Sequence, residues 1–209
     1  AGTESFIEEL REQGRELVEL GPDAFAKSSY KRNSEGILAL AETWDLGLSW
    51  LPAKPRISLV LDEVEKPGNL GAILRTADAF GVSSVLLSEP ELDFFNPNMV
   101  RSSRGLMAAT KIGVGDKQEV FSWLDEEGLC LVGTSARAKK SYWDCEFKDG
   151  TAFVLGSEKL GLGPFWRERV QEWVRIPMEG RASSLNLNVS AACLMAEFNR
   201  TVSSTLQAP

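Results

Sequence analysis

Ile57-Ser58-Leu59-Val60-Leu61, the loop Asp62 to Gly68, then Asn69-Leu70-Gly71-Ala72-Ile73-Leu74-Arg75-Thr76-Ala77 and, further on, Ser84-Val85-Leu86-Leu87 decide the architecture of this chain. Two short apolar runs flank a segment in which Leu70, Ile73, Leu74, Ala77 and Phe80 recur at helical spacing, with Gly81 placed to end it. The pattern predicts strand, helix with one buried face, strand. Asn69 stands where an N-cap is expected, and Arg75 falls nearly opposite the apolar stripe, where a plain solvated arginine is the alternative reading. Similar runs return at Leu129-Cys130-Leu131-Val132, Thr151-Ala152-Phe153-Val154-Leu155 and Trp173-Val174-Arg175-Ile176. Short apolar runs separated by helical patterns predict an α/β fold: a mostly parallel sheet with helices on both faces. Ligands in such sheets sit beyond the carboxyl ends of the strands, which directs attention to the loops after Leu61, Val132, Leu155 and Ile176.

Ahead of this region, a helix is expected from Glu4 to about Gly14, with short strands at Glu16–Leu20 and Gly36–Ala41 and a polar connection at Lys27 to Ser34. Pro52, Lys54 and Pro55 read as an extended linker. The expected division is therefore 1–52 and 53–209. The chain opens on Ala1-Gly2 rather than Met, which reads as a trimmed N-terminus, and the first unit as partial.

Of the 209 residues 43% are hydrophobic and 25% charged, enough for one full core and without disordered bias. No apolar run is long enough for a membrane-spanning helix and no signal peptide is evident, so a cytoplasmic protein is expected. There is no His, and Cys130, Cys145 and Cys193 are widely spaced. Zinc sites of the common kinds, CxxC redox pairs and a Ser-His-Asp triad are excluded; free thiols and no metal are expected. The net charge of -7 is unevenly spread. Ten acidic and five basic residues lie in 1–50, whereas Phe94 to Gly115 carries Arg101, Arg104 and Lys111 with no acidic residue. Arg137, Lys139 and Lys140 form a second basic cluster, and Arg167, Arg169 and Arg175 a third. Charge therefore permits an RNA partner, although each cluster also reads as ordinary solvated surface.

Gly68 and Gly71 are costly in a first helical turn unless another backbone or a phosphate comes close. The loop Gly156-Ser157-Glu158-Lys159-Leu160-Gly161-Leu162-Gly163-Pro164 follows a buried strand but matches neither GxGxxG nor GxxxxGK[ST]. It suits a cofactor held by backbone contacts, or is a plain tight turn. The third loop segment, Ile176-Pro177-Met178 through Ser183-Ser184-Leu185-Asn186-Leu187-Asn188, crowds small and amide-bearing residues at a helix start, more than capping requires.

Together N-x5-R-T-A, G-x-E-x-x-G and I-P-M-x-G-x3-S-L-N resemble motifs 1, 2 and 3 of the SpoU (TrmH-like) RNA ribose 2′-O-methyltransferases of the SPOUT superfamily, over roughly Ile57 to Arg200. The N-terminal portion is similar to the end of a ribosomal-protein-L30-like α/β substrate-binding unit, with Lys31-Arg32-Asn33-Ser34-Glu35-Gly36 where a His-containing turn is usual. The resemblance implies a deep C-terminal trefoil knot, against the general rarity of knots, and a homodimer. It implies S-adenosylmethionine as cofactor, with Gly156, Ile176 and Leu185 as contacts and Leu155, Met178 and Thr134 as neighbours. It implies Arg75 as the catalytic arginine, with Asn69, Glu158, Ser184 and Asn186 orienting it and the ribose; Asn188 departs mildly from the usual small residue. Ribosomal RNA is the expected substrate ahead of transfer RNA. A non-catalytic RNA-binding relative and a dehydrogenase-type nucleotide enzyme are the alternatives, the latter disfavoured by the missing fingerprint.

Overall fold

The computed structural model describes residues 2–30 and 36–206, with side chains described for 3–30 and 36–202. It divides into two units, Ala1–Glu42 and Thr43–Pro209. The first contains helices α1 (Gly2–Glu12) and α2 (Pro22–Ser28). The strands expected at Glu16–Leu20 and Gly36–Ala41 do not form. Strands persist by pairing, and neither segment has a partner strand among the described residues, which leaves the L30-like α/β reading of this unit without its sheet. Most of Lys31-Arg32-Asn33-Ser34-Glu35-Gly36 lies outside the described residues.

The second unit is built on strands β1 (Ile57–Asp62), β2 (Ser84–Ser88), β3 (Ile112–Gly115), β4 (Cys130–Thr134), β5 (Lys140–Ser141), β6 (Thr151–Leu155) and β7 (Glu172–Arg175). They form one sheet in the order β3-β2-β1-β6-β4-β7-β5, every pairing parallel. Parallel strands need crossovers, supplied among others by α3 (Pro67–Ala79), α4 (Pro97–Ser103), α5 (Lys117–Glu126), α6 (Pro164–Arg167) and the long α7 (Leu187–Leu206). The five strands expected from apolar runs are present. β3 and β5 were not legible: β3 is interrupted by Gly113 and Gly115, and β5 is two residues long.

Side chains alternate across β1, so the sheet has a core on each face. Ile57, Leu59 and Leu61 pack with Phe153, Leu74 and Phe198 on one side; Val60 packs with Leu86, Val154, Leu124 and Trp166 on the other. Ser58 and Ser84, buried in the sheet, satisfy one another through hydroxyls 2.8 Å apart. The segment before β1 belongs to this core: Leu46 accepts a 2.7 Å hydrogen bond from the Val114 amide, and Leu48 and Leu51 cover Gly113, where a Cβ would come within 2.7 and 2.9 Å of their side chains. The division between units accordingly falls at Glu42/Thr43, ahead of the expected 52/53 boundary.

Helix α3 starts at Pro67, whose missing N–H costs nothing in a first turn, and its cap position is Lys66. Asn69 is thus inside the helix, and its side chain is free for other work. Gly71 packs against α4: a Cβ there would overlap the Ser102 hydroxyl and come within 2.7 Å of the Ser103 amide nitrogen, whereas a Cβ on Gly68 would meet nothing. The close approach that Gly71 permits is therefore to a second helix. Gly71→Val is expected to force the α3–α4 contact apart and lower stability by about 1–3 kcal/mol, read from the urea midpoint. Gly68→Ala is expected to be neutral or stabilising by up to about 1 kcal/mol.

Candidate active site

Two strand ends bring distant chain together at the boundary of β1 and β6, where the strand order reverses. The loop 63–66 leaves β1 and leads into α3; the loop from Gly156 leaves β6. Between them Asn69 Nδ2 donates to Glu158 Oε1, and the Lys66 ammonium pairs with Glu158 Oε2. Asn186, from the third segment, donates from Nδ2 to Asn69 Oδ1 at 3.3 Å and stands 3.5 Å from Glu158 Oε1. Its Oδ1 accepts from the Asn188 amide at 3.0 Å, capping α7. One side chain thus caps the helix and joins the cluster with Asn69 and Glu158. Thr76, two turns further along the same stripe of α3, donates to Asn188 Oδ1 at 2.7 Å and so ties α3 to the start of α7.

The loop after β6 is a tight turn: the Gly161 amide donates to the Ser157 carbonyl at 2.9 Å, and Gly161 takes the left-handed backbone (φ 67) that glycine tolerates. A Cβ on Gly156 would overlap the carbonyl of Gly161 and the nitrogen of Leu162. The plain-turn reading of this loop is real, and Gly156 is required by it. Lys159 reaches back to Glu65 at 2.8 Å, so two ion pairs, this one and Lys66–Glu158, cross from one loop to the other. The cavity they close, lined by Val64, Asn69, Ser157, Glu158 and Leu187 among others, measures about 20 Å³. That is room for one water, so no cofactor-sized cleft opens at this boundary.

The residues expected to hold a cofactor gather one step along the sheet. Register pairs Val154 with Gly133 and Gly133 with Trp173, which aligns the carboxyl ends of β6, β4 and β7. Leu155 and Gly156, Thr134, and Ile176 therefore stand at three adjacent strand ends, with Met178 and Leu185 in the segment that follows β7. Leu155 is buried; Thr134, Gly156, Ile176 and Leu185 are half-buried, and Met178 is exposed. From Met178 to Leu185 the backbone makes no hydrogen bond among the described residues. Free main-chain donors and acceptors beside apolar side chains fit a ligand held by backbone contacts.

Arg75 is exposed and has no hydrogen-bond or ion-pair partner among the described residues; neither Asn69, Glu158 nor Asn186 bonds to it, and Ser184 is likewise exposed and unbonded. The structure thus unites Asn69, Glu158 and Asn186 and leaves Arg75 and Ser184 open to solvent. Lys66 is a participant that no motif contained, and Thr76 stood in the first motif without a role assigned to it; the partners of both lie on other segments.

Next to this site a charged cluster built around the buried Asp62 closes the same end of the sheet. Burial pushes the Asp62 carboxyl above its ordinary value, against a 3.0 Å hydrogen bond from Ser88 and the Lys117 charge 4.0 Å away. Burial works to lower the Lys117 ammonium, but Glu63 at 2.5 Å and Glu89 at 2.9 Å outweigh it and raise it above the usual lysine value. Glu63 and Glu89 both take left-handed backbones (φ 53 and 44), each directly after a strand, an uncommon conformation for non-glycine residues that here goes with a shared cation. Among the described residues no group of three His, Cys, Asp or Glu side chains is placed to hold a metal ion, and no helix is long and apolar enough to cross a membrane.

Comparison with known proteins agrees with this geometry. A 23S rRNA (uridine(2479)-2′-O)-methyltransferase of Streptomyces viridochromogenes is 30% identical over 91% of this chain and 69% of its own length. The 23S rRNA (guanosine-2′-O-)-methyltransferase RlmB of Coxiella burnetii is 30% identical over 94% of this chain and 82% of its own. Among solved structures, the SpoU methyltransferase AviRb from Streptomyces viridochromogenes in complex with the cofactor AdoMet superposes with a TM-score of 0.85 at 28% identity, covering 97% of this chain and 78% of that one. Residues 56–196, which include all three loop segments, match the SpoU rRNA Methylase family, and the chain belongs to that family.

Proposed function

We propose that this protein transfers a methyl group from S-adenosylmethionine to a ribose 2′-hydroxyl of ribosomal RNA. The observation that carries the reading is the convergence of Asn69, Glu158 and Asn186, one from each of three distant segments, at the carboxyl end of a parallel sheet. The 23S rRNA named for the relatives supports ribosomal over transfer RNA. S-adenosylmethionine supplies, when bound, a methyl group already activated on a sulfonium. The free backbone groups from Met178 to Leu185, with Gly156, Ile176, Leu155 and Thr134 at the adjoining strand ends, are the groups that would hold it.

The chain's own residues then have to position a weak nucleophile and manage one proton. As the 2′-oxygen gains the methyl carbon, the carbon–sulfur bond breaks with S-adenosylhomocysteine as the leaving group, and the hydroxyl proton passes to water at this solvent-exposed site. A guanidinium cannot accept that proton, so Arg75 acts as a cation: it grips the RNA and lowers the cost of charge on the 2′-oxygen. Glu158, held by Asn69 and Lys66, and Asn186, held by its cap on α7, set the walls against which the ribose is aligned. Ser184 is the remaining hydroxyl of this set. The trefoil threading of the segment before α7, a homodimer, a cytoplasmic address and an RNA-contacting role for the N-terminal unit rest on the resemblance and belong to the same proposal.

A thermal-shift series tests it. S-adenosylmethionine and S-adenosylhomocysteine are expected to raise Tm, and NAD to leave it unchanged. Mapping ribose methylation in ribosomal RNA from cells with and without this protein is expected to show one site lost in its absence. RNA binding without any cofactor-dependent shift would mark a non-catalytic relative and end the proposal.

A further inference from the structure

Besides the small cavity between the loops, an open groove of about 470 Å³ runs along the seam of α3 and α4, lined by Pro67, Gly68, Asn98, Arg101 and Ser102. No acidic side chain lines it. On α3, Gly68, Gly71 and Arg75 are spaced three and four residues apart and share one stripe, about a third of a turn from the stripe of Asn69 and Thr76. The contact of Gly71 with Ser102 and Ser103 identifies that stripe as the one turned toward α4. Arg101 lines the groove from α4, and Arg75 lies on the same α3 stripe two turns beyond Gly68.

Neither guanidinium has an ion-pair partner among the described residues. The N–H of Gly68, in the first turn of a thirteen-residue helix, also has no acceptor among them. Ser102 is held by its hydroxyl to the Pro67 carbonyl at 3.3 Å and to the Met99 carbonyl at 3.1 Å, which fixes one wall of the groove. From Phe94 to Gly115 the chain carries three basic residues and no acidic one, in a protein of net charge -7. An unpaired guanidinium in an acid-free groove beside a free helix amide selects an anion, and an open groove of about 470 Å³ with a second unpaired guanidinium two turns along α3 selects a chain of them.

We infer that the α3–α4 groove is the track for the sugar–phosphate backbone of the substrate RNA, with Arg101 and the Gly68 amide gripping a phosphodiester that flanks the methylated nucleotide. This rests on the proposed RNA methylation and adds where the strand lies. Arg101 holds the strand on one side of Arg75, so that the ribose presented to Arg75 is chosen by its distance along the backbone from the gripped phosphate.

Filter binding of a short single-stranded RNA oligonucleotide over a range of salt tests the inference. Arg101→Ala is expected to weaken binding and to make the slope of log affinity against log salt shallower by about 0.7, the loss of one phosphate contact. Lys148→Ala, the same charge change on an exposed residue at the amino end of β6, is expected to leave the slope as in the unaltered protein. Arg101→Lys is expected to recover part of the affinity. An unchanged slope in Arg101→Ala, equal losses in the Arg101 and Lys148 variants, or no binding of the oligonucleotide by the unaltered protein at low salt would each overturn it. S-adenosylhomocysteine affinity, measured on the same variants by calorimetry, is expected to stay unchanged. Its absence in the unaltered protein would sink the methyltransferase reading while leaving the salt slopes to judge the groove.

Discussion

Arg75→Ala is expected to reduce methyl transfer by about 10²- to 10³-fold, the cost of removing one well-placed group that stabilises developing negative charge. It is expected to leave the fold and S-adenosylhomocysteine affinity nearly untouched. The structure makes this a clean experiment: the side chain lies on the exposed side of α3, opposite Leu70, Ile73, Leu74 and Ala77, and no described residue bonds to it. Surface substitutions of that kind stay within about 0.5 kcal/mol of the parent. A guanidinium kept exposed and unpaired beside a polar site is a group available to substrate. Arg75→Lys is expected to recover little, because a point charge does not reproduce the planar fork. Single-turnover transfer to ribosomal RNA with saturating cofactor is the measurement, and unchanged turnover would remove Arg75 from the reaction.

Gly156→Val acts on the other half of the site and on stability at once. Any Cβ at this position overlaps main-chain atoms of Gly161 and Leu162, which cannot swing aside as a side chain can. The Ser157–Gly161 turn must open or shift, and with it Glu158 and the strand end beside Thr134 and Ile176. We expect a loss of about 1–3 kcal/mol in stability by overpacking, together with loss of measurable S-adenosylhomocysteine binding. Because β6 is fully buried between β1 and β4, the sheet itself is expected to survive, seen as an unchanged far-ultraviolet spectrum. Full cofactor affinity in a folded Gly156→Val protein would place the cofactor away from this loop.

These two positions also show how differently sites are written in a sequence. Gly156 was conspicuous as a glycine after a buried strand, and the structure supplies the reason: the loop folds back on itself. Arg75 was visible only as a charge on the wrong side of an amphipathic helix, a signal that every solvated arginine shares. Asn69 looked like a helix cap; with Pro67 opening the helix, its amide is turned instead to Glu158. Asn186 reads as either a cap or a site residue; its Oδ1 caps α7 while its Nδ2 faces Asn69. Lys66, which pairs with Glu158 across the loops, had no local signal at all.

Apolar periodicity by itself determined the parallel α/β architecture, the five strands that are buried runs, and the order in which the three loop segments follow their strands. Those features are local: burial on both faces of a strand or on one face of a helix must be written in neighbouring residues. The tertiary structure alone decided the rest. It placed glycine-broken β3 and two-residue β5 in the sheet because strands already there offered them partners, and it left the N-terminal strands unformed where no partner stands among the described residues. It set the segment from Leu46 to Leu51 on β3, turned Gly71 into a helix contact, and brought Asn69, Glu158 and Asn186 within reach of one another. Hydrogen bonds and close packing between segments a hundred residues apart depend on where the chain returns, and no spacing along the chain records that.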